Sequence, residues 1–505
     1  MTDKEQLTHI QNNNLHQISN ISIEIPIINE SPTTETIIKQ NTHSKLLYLD
    51  GLRGILCLIV VFSHSILMGK TTHEENFSIF FRSWIQHSPL RLFLAGEFAV
   101  AGFFVLSGCV LVRRYFEHSN NIHILIGGLI RRFPRLFVPS TIALLCYFSI
   151  FHFRPFYGYN ECHEIGEGTV NIEEINLGYA LLNTFGQYFW MPALYTIQWT
   201  MQIEFIFSIL IYFIAFLVTR SFIYRYRIII YILLIFILPI VWLVSHENIP
   251  RPVQYLQPFV FGIFLSDLDA NGLLNFCHTM KRYWLILIKI ILILLTIYFG
   301  SYPVFNPMGS FLTPLGSTRV NTDVINGYGT LWSPFGWMFG WFWISFGSFC
   351  LLILIMISKN IQNFLSTKII QFIGKISFSI YLTHYIILCL IDTSFVQWTA
   401  PYLGRDLAVI IGLIIFALPI TIFISYGFYI FVDAPAVHMS HWLYFIICNR
   451  CLKLDKRPQP IRRHIWISLL ILFIITIIIG SIPAQQGYSR CDKHFYENST
   501  LTIPI

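Results

Sequence analysis

Charged side chains are scarce: Asp, Glu, Lys and Arg make up 12% of the 505 residues, about half the share usual in soluble proteins. Too little charge is present to clothe a water-facing surface on a chain of this length, and hydrophobic residues reach 55%. No cleavable signal peptide is visible, because residues 1–45 are polar, with Asn, Gln, Ser and Thr runs. That stretch reads as a disordered cytosolic tail. Basic residues do not gather in a binding patch; they are spread between apolar segments, so the net charge of +7 does not point to nucleic acid. Cysteine carries little information. Most of the ten fall in apolar segments, where a thiol behaves as a small apolar group. The pair Cys448-x-x-Cys451 has no second pair to complete a zinc site, and juxtamembrane palmitoylation suits it equally well. Cys162 and Cys491 lie outside those segments and are available to pair in an oxidising compartment. No metal is expected.

Eleven apolar segments are long enough to be membrane spans: about 46–68, 91–112, 134–152, 199–218, 228–244, 253–267, 283–300, 335–357, 370–392, 407–432 and 464–482. The sequence therefore predicts an all-α polytopic membrane protein in the plasma membrane or an endomembrane. With a cytosolic N-terminus, eighteen Lys and Arg fall in inside loops against nine outside. That bias places the C-terminus beyond the membrane. It requires Gly178–Gln198, an uncharged run with Gly186, Gln187 and Pro192, to be interfacial or re-entrant rather than a full crossing. A basic cytosolic loop (441–463) and a short extracytoplasmic tail (483–505) flank the last span. The sequons Asn76-Phe-Ser and Asn498-Ser-Thr fall on the outer face.

Ionisable residues inside these spans are the informative ones, since each costs at least ~2.5 kcal/mol to bury there. Arg53 and His64, in a first span that also holds Asp50, are eleven residues apart, three helical turns plus only ~20° of rotation. They share one face, separated by ~16 Å along the axis. Arg132 and Arg135, in Arg-Arg-Phe-Pro-Arg at the inner end of the third span, form an R-x-x-R pair on one helix turn. Alone they read as ordinary basic flanks. With Arg53 in the cytosolic third of its helix, three guanidiniums near one depth suit the phosphates of a nucleotide-like cofactor arriving from the cytosol. Glu204, in Trp199-Thr-Met-Gln-Ile-Glu, has no compensating charge in its own helix and is read at the outer start of the fourth span. In Ser377-Phe-Ser-Ile-Tyr-Leu-Thr-His384, Tyr381 and His384 share a face. A single buried His is more often a packing residue than a catalyst; here several polar groups recur in spans of nearly pure Ile, Leu and Phe. Lys375, Asp433 and Glu97 stand near span ends and read as snorkelling side chains.

Together these pieces resemble the membrane-bound acyltransferase-3 family. The resemblance rests on Tyr48-Leu-Asp-Gly-Leu-Arg-Gly54 with His64, Gly102-Phe-Phe-Val-Leu-Ser-Gly108, Arg132/Arg135, Trp199…Glu204, Ser379-Ile-Tyr-Leu-Thr-His384 and Phe431-Val-Asp-Ala-Pro435, in the family's order over residues 46–440. Asp433 stands where bacterial members more often have Glu, so the chain is closer to eukaryotic, particularly fungal, relatives. The resemblance implies a ten-helix acyltransferase domain at 46–440, with 464–482 as an added helix. It also implies transfer of an acyl group, usually acetyl, from acyl-coenzyme A to a hydroxyl of a sugar, lipid or small metabolite. Arg53, Arg132 and Arg135 would hold the coenzyme's phosphates. His64 would be general base or transient acyl acceptor, and Glu204, Tyr381 and His384 would orient the imidazole or the acceptor. The alternative is a secondary transporter with a polar path, to which Pro239 and Pro419 would contribute broken helices. The halves of the chain show no inverted repeat in its favour.

Overall fold

A computed structural model describes residues 34–68, 89–118, 121–153, 177–189, 193–244, 255–275, 279–301 and 336–452, together with Ile474. The eleventh predicted span (Ile474 apart), the C-terminal tail, Cys162, Cys491, Asn76 and Asn498 lie outside the described residues. By contacts the chain divides into Met1–Leu46 and Leu47–Ile505, and every site residue named above belongs to the second unit. In the first unit, residues from Thr34 onward are helical where the sequence reads disorder.

Among the described residues there is helix and no strand, as an apolar solvent demands when backbone N–H and C=O groups must be satisfied within each segment. The helices are α1 (Thr34–Met68), α2 (Gly96–Glu117), α3 (Ile122–Phe153), α4 (Leu177–Gly186), α5 (Trp199–Val218), α6 (Arg227–Val244), α7 (Leu256–Ala270), α8 (Arg282–Gly300) and α9 (Gly336–Met356). They continue with α10 (Lys359–Leu365), α11 (Lys368–Ile387), α12 (Thr393–Leu403), α13 (Arg405–Ile411), α14 (Leu418–Phe428) and α15 (Ala434–Leu452). Seven helical segments among the described residues are long and apolar enough to cross a membrane, or eight if α9 and α10, bent by 97°, are one broken span. The predicted total of eleven is therefore not reached in the described residues. The outer face of α8 shows why these segments need lipid: Tyr283, Ile286, Ile290 and Leu294 are exposed. A water-facing helix would carry charge there.

Two helix pairs position the site. α1 and α11 meet at glycines, because a Cβ on Gly54 would stand 2.7 Å from the Gly374 backbone nitrogen. Three turns of register follow from that contact. The Cys57 thiol donates to the Ser377 carbonyl at 3.2 Å, and the His64 and His384 rings meet at 5.3 Å. All three pairs differ by the same sequence offset, so the two helices run parallel. Each histidine stands ten residues beyond its own glycine, ~15 Å along the axis.

α3 and α5 run antiparallel. Gln198 donates to the Ser140 carbonyl at 2.8 Å, Arg132 to Ser208 at 2.9 Å, and Gly128 sits under the Tyr212 ring. The start of α5 thus lies beside the middle of α3, not at its C-terminal end. Glu204, read from the sequence at the outer start of a span, is level with the arginines. The ten-residue α4 also packs on α3, and its ~15 Å rise is half a hydrocarbon core. Its Asn183 side chain accepts from the Leu194 amide at 3.0 Å as the chain turns back.

α3 itself starts at Ile122, well before the predicted 134, with Pro134 and Pro139 inside it. The pair Arg132 and Arg135, read at the inner end of the span, lies in the helix interior. At the other end of the bundle α13, α14 and α15 follow one another through π-helical turns at Gly412–Ala417 and Tyr429–Asp433. α15 carries on to Leu452, so the segment read as a loop from 441 begins as helix. It packs on α3, with Arg131 over the Tyr444 ring at 5.0 Å.

Candidate active site

α1, α2, α3, α5, α11, α15 and the π turn before α15 enclose a cavity of about 500 Å³. Arg53, Arg132, Arg135, Glu204 and Tyr381 all line it. Five of the seven predicted site residues, drawn from four helices, therefore share one space. Lys375, Asp433 and Asp50 line it too, and the sequence had offered the first two only as snorkelling ends. The signal that finds Lys375 is the α1–α11 register. It follows the glycine Gly374 that meets Gly54, as Arg53 precedes it, so both long cations stand at the crossing. For Asp433 the signal is the π turn, a feature frequent at functional sites, which aims Tyr429 and Asp433 at the same cavity.

The four cations are not equivalent. Arg53 is paired within its own helix, Nη1 to Asp50 Oδ1 at 2.7 Å. Arg132 donates from Nε to Ser208 Oγ at 2.9 Å, and its Nη2 stands 3.3 Å from Glu204 Oε1. Glu204, uncompensated within its own helix, is compensated from α3, and it also accepts from Ser107 Oγ at 2.8 Å. The Ser208 hydroxyl donates back to the Glu204 carbonyl. Arg135 has no ion pair or hydrogen bond among the described residues and is exposed to the cavity. Among the described residues Lys375 makes only a cation–π contact, with Nζ 5.1 Å from the Tyr429 ring centre. Arg135 and Lys375 are thus the two cavity cations without a direct ion pair among the described residues, although Asp433 and Glu204 act on Arg135 at longer range.

Tyr381 closes the deep side. Its hydroxyl donates to the Ile197 carbonyl at 2.7 Å. With that single proton committed, the 2.8 Å contact to Thr200 Oγ1 is a bond donated by Thr200. His64 and His384 do not line the cavity. They stand behind this tyrosine, the His384 ring 5.9 Å from the Tyr381 ring, and Tyr385 meets His64 edge-on at 5.6 Å. His384 is fully buried, whereas His64 is only partly so. Among the described residues no group of three or more His, Cys, Asp and Glu is placed to hold a metal ion.

The fold and this site define a multi-pass helical membrane protein with an ion-lined cavity running toward a pair of histidines. The model of the acyltransferase-3 family, described as an acyltransferase domain, matches residues 46–430, and the chain belongs to that family. An O-acetyltransferase, PaAT-1, from Phomopsis amygdali is 36% identical over 104 residues, which cover 19% of this chain and 20% of that protein. The match thus spans about a fifth of the length of that curated relative. No solved structure matches the chain significantly.

Proposed function

We propose that the protein is an integral membrane O-acyltransferase that moves an acyl group, usually acetyl, from acyl-coenzyme A to a hydroxyl of a sugar, lipid or small metabolite. The observation that carries this reading is the placement of two of the cavity's cations, Arg53 and Lys375, at the glycine crossing from which both histidines are ~15 Å distant, with Arg132 and Arg135 lining the same cavity. That gap suits an extended pantetheine arm, held by its phosphates at one end and offering a thioester at the other. Family membership and the name of the Phomopsis relative support acyl transfer and an acetyl donor. In this reading the catalytic domain is 46–440, the tail 1–45 and the loop 441–463 are cytosolic, 464–482 is an added span, and 483–505 lies beyond the membrane.

Arg135 and Lys375 meet the donor phosphates first, because neither is held in a direct ion pair among the described residues. Arg53 and Arg132 add donors from guanidiniums anchored by Asp50 and Glu204, which keeps their planar forks in place for bidentate contacts. Glu204 holds Arg132, and Tyr381, its hydroxyl proton committed to a carbonyl, is a wall and an orienting group rather than an acid. His64 is the base. It takes the proton of the acceptor hydroxyl as the oxygen attacks the thioester carbonyl. The new C–O bond forms, the C–S bond breaks, and the proton passes to the leaving thiolate. In the two-step variant the His64 nitrogen attacks the thioester carbonyl and the C–S bond breaks to release the thiolate. The acceptor oxygen then attacks the acyl-imidazole, the C–N bond breaks, and the hydroxyl proton passes to the thiolate.

The test is acyl transfer by the purified protein in detergent micelles. Radiolabelled acetyl-coenzyme A is supplied with a panel of glycan, lipid and small-alcohol acceptors. Label should appear in an ester of at least one acceptor class. Movement of an acceptor across a reconstituted bilayer, with no ester formed under any condition, would favour a transporter instead.

A further inference from the structure

The two ring nitrogens of His384 stand in different surroundings. Nδ1 is 2.8 Å from the Tyr381 carbonyl oxygen and 3.1 Å from that of Ile380. Carbonyls only accept, so Nδ1 carries the proton and donates to both. In the neutral ring Nε2 is then a bare acceptor. It is buried and has no hydrogen-bond partner among the described residues. An enclosed acceptor left unpaired costs ~1–3 kcal/mol and calls for an explanation. Two polar rings lie near it. The Tyr381 hydroxyl is already committed to Ile197 and Thr200. The other is His64, tilted by 45° at a centroid spacing of 5.3 Å, from which ring nitrogens turned toward each other reach hydrogen-bond distance.

We propose that His384 is a positioning residue that sets the tautomer of His64. Rotation of the His64 ring about χ2 brings its N–H onto the free Nε2 of His384. The second His64 nitrogen is then fixed as the unprotonated one and faces the acceptor. His384 gains and loses no proton in the cycle. When His64 takes the acceptor's proton and becomes imidazolium, its bond to Nε2 strengthens, and the proton leaves from the nitrogen that received it. Histidine catalysts are commonly oriented by a carboxylate at the second nitrogen. A neutral imidazole pinned by two helix carbonyls does the same work at this depth without placing a second charge in the membrane. The arrangement depends on the shared register of α1 and α11, which sets both histidines at the same height. It rests on the acyl-transfer reading above.

Three substitutions separate this role from packing. In His384→Gln the amide reaches the place of Nε2 and its oxygen accepts. In His384→Asn the amide reaches only the place of Nδ1, and His384→Leu supplies neither. The expected result is a loss of tenfold or more in kcat for Leu and Asn with KM for acetyl-coenzyme A unchanged, and substantial recovery in Gln. In a His64→Ala background His384→Leu should add no further loss. Nitrogen-15 spectra of histidine-labelled protein supply a readout independent of turnover. The His64 signals, recognised by their absence from His64→Ala, should report one tautomer in wild type and a mixture in His384→Leu. Equal activity of Asn and Gln, more than half of wild-type turnover in Leu, or an unchanged His64 tautomer in Leu would overturn the proposal. If Leu does not accumulate as folded protein, the comparison of Asn with Gln decides. A single, His384-dependent His64 tautomer in a protein that transfers no acyl group would leave the histidine pair standing and remove the acyltransferase reading.

Discussion

Arg135 differs from its two companions in having no direct ion pair among the described residues, its acidic neighbours Asp433 and Glu204 acting on it only at longer range, and the difference yields separable expectations. Replacing Arg135 with Gln should weaken binding of coenzyme A by roughly 1.5–3 kcal/mol, about ten- to hundredfold in Kd, the range for hydrogen bonds to a charged group. Folding should be little changed, because no ion pair is broken. Arg132→Gln removes the cation beside Glu204, whose side chain is only 16% exposed. It should therefore lower stability as well, by up to ~3–5 kcal/mol. Arg53→Gln breaks a pair whose members are 29% and 45% exposed, and its effect on Tm should be slight. Titration calorimetry and thermal melts on the three variants check the order. Equal loss of affinity with equal loss of Tm in all three would mean that pairing does not distinguish them. Much of this set was legible in the sequence, because a guanidinium or carboxylate in an apolar run declares itself. Its partners were not. Glu204 and Arg132 are 72 positions apart, and only the antiparallel packing of α3 on α5 makes them neighbours.

At the scale of helices, the glycine contact between α1 and α11 decides whether the histidines meet. A Cβ on Gly374 would overlap the Asp50 carbonyl of α1, and the converse holds for Gly54 against Gly374. Gly374→Leu should pry the helices apart and cost at least ~1–3 kcal/mol, as overpacking does when backbone rather than a side chain must move. Paired cysteines at 64 and 384 report the separation. They should form a disulfide readily in the native background and poorly with Gly374→Leu, while disulfide yield unaffected by the leucine would show that the crossing does not set the register. Helix identity was plain from apolar runs of spanning length, and the shared face of Arg53 and His64 follows from helical period alone. Helix ends were less plain. The predicted third span begins at 134, where α3 is already under way. The π turns before Asp433, which need no special residue, left no mark in the sequence.

The whole molecule adds a constraint on topology. Two parallel helices that both cross a membrane have an odd number of crossings between them. The described α4 is too short to be one of those crossings. Cysteines introduced at Lys45 and Ser366, ahead of α1 and α11, should therefore be labelled by an impermeant thiol reagent from one side. A cysteine at Tyr402, 82% exposed beyond α11, should be labelled from the other. Labelling of positions 45 and 366 from opposite sides would contradict the parallel pair in the membrane. The sequence reached the same parity through the positive-inside bias, by an independent route. It could not show that five charged or polar candidates line one cavity while the two histidines stand behind its tyrosine wall.

His64 is where the account is most exposed, since it assigns bond-making to a residue one ring removed from the cavity. The direct measurement is acyl transfer from acetyl-coenzyme A by His64→Ala against wild type, with coenzyme binding and thermal stability measured on the same preparations. Loss of a general base lowers rate by ~10²–10⁴-fold, so the variant should bind coenzyme normally, stay folded, and transfer at least a hundredfold more slowly. Turnover near that of wild type in a folded His64→Ala protein would contradict the account and move the search for the base to Glu204 and His384.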